Sequence, residues 1–166
     1  MIPTAPWLGP GSTSGLLIDT NLLVLYAVGT VNRNRIETFK RTRQYTQSDY
    51  ELLIRVLDSF KPLYTLAHVL AEVSNLTDLP GPEKLRIRAI LKQTISLLEE
   101  VEMPSARASE DSLYPRLGLV DAAISAVVRA RHCAVLTDDF DLYTMLGRDR
   151  VPVLNFTHIR ASNWGM

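Results

Sequence analysis

Short apolar runs separated by helical stretches place the tightest limit on how this chain folds. Leu16–Ile18, Leu63–Leu66, Cys133–Thr137 and Val151–Leu154 are strand-length and free of charge, so each reads as a buried strand. Val101–Met103 is a further strand-like run. Between them lie helical stretches at Leu22–Val28, Asp49–Phe60, Ala67–Asn75, Glu83–Glu99, Ala106–Leu113, Leu119–Arg131 and Asp141–Leu146. This alternation predicts βαβ units, and therefore an α/β domain whose central parallel sheet of four to five strands is flanked by helices. Pro152 lacks an N–H and puts the last strand at a sheet edge.

Capping residues punctuate the same pattern. Thr20 or Asn21 is placed to cap the first helix and Ser48 the second. Pro62, Pro115 and Gly147 mark expected helix ends. Leu85, Ile87, Ile90, Leu91, Ile95, Leu97 and Leu98 supply the apolar faces of the 83–99 helix, and Leu52, Leu53, Val56, Leu57 and Phe60 form a stripe on 49–60.

At 166 residues, with 46% hydrophobic and 22% charged content, the chain has the size and composition of one globular domain with a substantial core. Eighteen basic residues balance eighteen acidic ones, so net charge selects no partner and local patches carry that information. A single cysteine, Cys133, excludes an intramolecular disulfide framework and suits a reducing cytosol. Residues 1–14 carry three prolines and no basic stretch, which reads as a flexible leader ahead of a domain at 15–166. The apolar stretch 16–28 is too short to cross a bilayer and is interrupted by Asp19 and Asn21. The expectation is a cytoplasmic protein without a membrane partner.

Carboxylates stand where these elements end or begin. Asp19 follows the first strand, Glu72 lies on the 67–75 helix, Asp121 opens the 119–131 helix, and Asp139 follows the 133–137 strand. In parallel sheets, sites form beyond the carboxyl ends of strands, so the topology brings such acids together. Each has a structural use as well: Asp19 as a helix cap, Asp121 at a helix N-terminus, Asp139 in a turn, Glu72 on a solvated face. Together in poorly solvated surroundings, four acids repel unless a cation gathers them. Oxygen-only donors select Mg²⁺ or Mn²⁺, and such an ion activates water for hydrolysis of a phosphodiester. Asn21 and Ser125, the latter one turn beyond Asp121, are placed to touch the ion's waters. The segment 32–43 holds Arg33, Arg35, Lys40, Arg41 and Arg43 against Glu37 alone, a candidate contact for an RNA backbone.

Leu-Ile-Asp-Thr-Asn at 17–21, Glu72, Gly-Leu-Val-Asp-Ala-Ala-Ile at 118–124 and Val-Leu-Thr-Asp-Asp-Phe at 135–140 resemble the ordered acidic motifs of PIN-domain ribonucleases. Small members of that family include the VapC-type toxins of toxin–antitoxin pairs. The resemblance spans roughly residues 15–160. It implies a three-layer PIN-like fold, Mg²⁺- or Mn²⁺-dependent endoribonuclease activity, a homodimer and, in toxin members, an antitoxin partner. It assigns catalysis and metal binding to Asp19, Glu72, Asp121 and Asp139. Asp141 matches a further metal-binding acid, and Thr137 the hydroxyl before the last acid. Asp138 is extra here and competes with Asp139 for the last position.

Other readings remain beside it: an RNA-processing nuclease without an antitoxin, and a catalytically silent PIN-like module that binds RNA or protein. A receiver-type phosphotransfer domain also uses strand-end carboxylates. That chemistry wants an acidic pair near the first strand and a basic partner after the last. Here Thr20-Asn21 and Asn155-Phe156-Thr157 stand in those places.

Overall fold

The computed structural model describes residues 15–164; the expected leader at 1–14 lies outside them. In chain order the first half runs β1 (Leu16–Ile18), α1 (Thr20–Val31), a 3-10 turn at Arg33–Arg35, α2 (Gln47–Asp58), β2 (Leu63–Thr65), α3 (Ala67–Leu76) and α4 (Glu83–Leu97). There follow β3 (Glu99–Glu100), α5 (Ser105–Ala108), α6 (Tyr114–Leu117) and α7 (Leu119–Arg131). The chain then forms β4 (Ala134–Thr137), α8 (Phe140–Arg148), β5 (Val153–Asn155) and α9 (Phe156–Trp164).

The five strands form one parallel sheet in the order β3-β2-β1-β4-β5. Leu17 is in register with Tyr64 on one side and Val135 on the other, so β1 is the central strand. Leu16, Leu17 and Ile18 are buried completely or nearly so, as expected for a strand covered on both faces; each such side chain contributes roughly 1.5–3 kcal/mol. Crossover connections carry the chain from β1 outward to β2 and β3, then back across the sheet to β4 and β5. Helix α1 packs against α2, α3 and α4, while α7 covers β4 and α8 covers β4 and β5, giving three layers. The order of travel reverses between β1 and β4, and a crevice opens at the carboxyl ends of strands at such a point. Among the described residues no helix is long and apolar enough to cross a membrane.

Several boundaries differ from the sequence expectation, each for a local reason. The cap of α1 is Asp19, which accepts from the Thr20 N–H, instead of Thr20 or Asn21. The cap of α2 is Thr46 instead of Ser48, because Thr46 and Asp49 exchange reciprocal bonds in a capping box. The third strand is Glu99–Glu100 and not Val101–Met103; its two exposed glutamates suit an edge, where charge discourages pairing with another chain. Of the stretch 106–113 only Ala106–Ala108 is helical, within α5; the Asp111 carboxylate accepts from the Leu113 N–H in a turn, and α6 starts beyond it. Pro115 begins α6 instead of ending the preceding helix. Gly147 lies within α8, and the reversal comes at Arg150, in the left-handed region. Helix α9 was not expected from the pattern. β5 is an edge strand, as Pro152 requires.

The apolar residues of α4 are unevenly covered. Ile87 is buried, but Leu85 and Leu97 are 77% and 75% exposed, and Ile95 is also exposed.

The segment between α1 and α2 is held from several sides. Arg35 pairs with Glu83, which also accepts from Asn32, and Arg33 pairs with Glu51. At its far end Asp49 is 0% exposed, and Arg160 of α9 forks onto both of its oxygens at 2.8 Å. Removing one partner of such a pair leaves the other charge buried alone. Arg160→Met should therefore lower stability by about 3 kcal/mol in urea unfolding. Arg33→Met, at a solvated pair, should cost less than about 1 kcal/mol.

Candidate functional site

The site grows from the end of β1. Asp19 is 5% exposed and lies between the strand and α1. Its Oδ1 accepts from the Thr20 N–H at 2.7 Å, and its Oδ2 accepts from the Thr137 hydroxyl at 2.5 Å. The Thr137 oxygen in turn accepts from the Asp139 N–H at 2.9 Å, so one hydroxyl at the end of β4 joins two of the predicted acids. Asp139 caps α8 by accepting from the Leu142 N–H. Thr20 reaches the other way and donates to Glu72 Oε2 at 2.6 Å, tying α3 to the same edge.

Asp121 enters from α7. Gly118, at φ +89°, turns the chain between α6 and α7 in a conformation that side chains with a Cβ resist, and Asp121 falls in the first helical turn. Burial pushes the Asp121 carboxyl up to about 7, and the negative charges of Asp19, Asp139 and Glu72 push in the same direction. Burial likewise raises Asp19 to about 6, against the lowering effect of its bonds to Thr137 and Thr20, with the charges of Asp138 and Asp139 adding to the rise. These couplings link acids from the ends of β1 and β4 and from the helices α3 and α7.

Other predicted residues have different surroundings. Asn21 donates to Asp138 Oδ1 at 3.2 Å, so it joins the site through that extra acid. Ser125 is turned away: it donates to Asp111 and accepts from Arg129. Asp141 is exposed on α8, and it is not among the charges acting on Asp19 or Asp121. In the basic segment, Arg33 and Arg35 are engaged by Glu51 and Glu83, whereas Lys40, Arg41 and Arg43 are exposed.

Two site residues escaped sequence reasoning. The hydroxyl of Thr20 had a signal, since it stands inside the 17–21 motif. Tyr45 had none: it is 1% exposed, lies in the segment between α1 and α2, and donates from its hydroxyl to Asp138 Oδ2.

The all-oxygen donor set fits Mg²⁺ or Mn²⁺, and mutual repulsion gives a cation something to neutralise. Among the described residues, no three acidic, histidine or cysteine groups are gathered closely enough to ligate one ion directly. A hydrated Mg²⁺ requires less, because it keeps several waters and takes one or two carboxylates.

No family model and no curated protein matches the chain. Its fold is similar to that in a crystal structure of PAE2754 from Pyrobaculum aerophilum, with a TM-score of 0.52 and 16% sequence identity over 92% of this chain and 99% of that one. At that identity the likeness concerns the fold alone.

The raised carboxyls set a pH dependence. Asp19 and Asp121 hold protons in the folded protein up to about 6 and 7, whereas the unfolded chain releases them near 3.8. The folded state therefore binds more protons over that interval, and stability without added metal falls as pH rises from about 4 to about 7. Thermal unfolding across this range should show the decline, and Asp121→Asn should flatten it.

Proposed function

We propose that this chain is a divalent-metal-dependent endoribonuclease of the PIN type, hydrolysing RNA phosphodiester bonds with Mg²⁺ or Mn²⁺. The observation that carries this reading is the Asp121 carboxyl, half-buried and acted on by the charges of Asp19, Asp139 and Glu72. Acids so coupled, from four separate elements at a switch point, suit cation binding better than helix capping, which needs no convergence.

On this reading Asp19, Glu72, Asp121 and Asp139 hold the ion directly or through its waters. The bound ion would lower the pKa of water and offset charge on the phosphoryl group. The chain's own residues divide the remaining work. Thr137 fixes Asp19 relative to Asp139, and Thr20 fixes Glu72. Asp121, half-buried with its carboxyl raised by burial and by its acidic neighbours, is the acid suited to accept the proton of the attacking water. Lys40, Arg41 and Arg43 supply positive charge for the RNA backbone, while Arg33 and Arg35 serve internal pairs.

We further propose the toxin of a toxin–antitoxin pair. Support comes from a groove beside α4 lined by Leu70, Leu91 and the exposed Ile95 together with Arg88 and Lys92. Exposed apolar surface rimmed by basic groups suits an acidic amphipathic segment of an antitoxin, and an apolar face also suits a second copy in a homodimer.

Labelled RNA with Mn²⁺ tests the enzyme. Asp121→Asn and Asp19→Asn should each lower the cleavage rate by about 10²–10⁴-fold. RNA binding without cleavage by the intact protein would instead indicate a silent binding module. Replacing Lys40, Arg41 and Arg43 together by Ser should lessen the slope of log affinity against log salt by roughly 2. Replacing Arg33 and Arg35 should leave that slope unchanged.

A further inference from the structure

Asp138 is the acid that the sequence could not place, and the structure gives it two donors. Its Oδ1 accepts from the Asn21 amide at 3.2 Å, and its Oδ2 accepts from the Tyr45 hydroxyl. The neighbouring Asp139 is held differently: its Oδ1 accepts from the Leu142 N–H, and its own N–H donates to Thr137. The two consecutive carboxylates are thus separated by their partners.

Tyr45 is itself braced. Its ring packs against Phe156 of α9, with centroids 6.3 Å apart, and the Arg160 guanidinium lies 5.3 Å from its centroid. Arg160 is fixed in turn by Asp49 and by the Gln44 carbonyl oxygen, to which it donates at 3.2 Å. Burial and the adjacent Asp138 charge keep the phenol protonated, so it remains a donor. The segment between α1 and α2, together with α9, therefore forms a rigid support ending in one hydroxyl.

We propose that Tyr45 is a positioning residue of the metal site: its hydroxyl, with the Asn21 amide, clamps Asp138 as a fixed outer charge and leaves Asp139 as the acid available to the ion. This rests on the metal-dependent reading above. Groups that orient carboxylates from outside the coordination sphere matter because a freely rotating charge stabilises an ion less than a fixed one. Tyr45→Phe isolates the effect, since the ring contacts to Phe156 and Arg160 survive and only the hydroxyl is lost.

The test is Mn²⁺ affinity read from the free-ion electron paramagnetic resonance signal of the purified protein. The measurement is made well below the unfolding midpoint of each variant. Tyr45→Phe should raise the Mn²⁺ Kd about 10-fold, at the low end for outer-shell changes. Asp138→Ala should weaken binding similarly, and the double variant should bind no more weakly than Asp138→Ala alone. Wild-type affinity or tighter binding in Tyr45→Phe overturns the proposal, as do additive losses in the double variant. Should Tyr45→Phe fail to fold, Asp138→Ala still decides: unchanged affinity overturns the clamp, and the stated loss supports it. Failure of the wild-type protein to bind Mn²⁺ would remove the metal-dependent reading itself, and the clamp with it.

Discussion

A carboxylate at the end of a fully buried strand has to be satisfied by the protein, because little water reaches it. Asp19 is in that position, and the contacts that satisfy it also organise the strand ends around it. The Thr137 hydroxyl links β4 to β1 through Asp19 and fixes Asp139 through its N–H. The Thr20 N–H links the carboxylate to α1, and the Thr20 hydroxyl carries the connection to Glu72 on α3. One buried carboxylate and its two threonine partners thus join four elements. The same burial raises its pKa, so the site is electrostatically costly to the folded protein in the absence of a counter-charge.

The segment between α1 and α2 changes meaning once its contacts are known. Its basic residues suggest an RNA-binding track, but Arg33 and Arg35 are engaged internally and the far end is locked by Arg160. What it presents to the site is a phenol. Rigidity at one end and an exposed basic run at Lys40, Arg41 and Arg43 are compatible, because Tyr45 packs inward against α9 while the charges face solvent.

Much of the fold was legible because it rests on local pattern. Leu16–Ile18 reads as a strand because it is a short apolar run, and Leu119–Arg131 as a helix rich in small residues, and both match the structure residue for residue. Boundaries were harder wherever a side chain competed with the pattern. Thr46 displaced Ser48 as a cap because Asp49 can reciprocate, and Asp111 broke an otherwise helical run. The covering of the 83–99 helix was not legible, since apolar residues on a helix do not reveal whether the molecule or a partner covers them.

The sequence by itself determined the alternation of strands and helices, the order of Asp19, Glu72, Asp121 and Asp139, and the oxygen-donor chemistry that they offer. These follow from residue type and from spacings of a few positions, where backbone geometry dictates what faces what. Only the tertiary structure decided that Thr137 reaches Asp19 across 118 positions, that Ser125 donates to Asp111, and that Tyr45 holds Asp138 across 93. Contacts of that range arise from how packed layers bring strand ends together, and no local spacing encodes them.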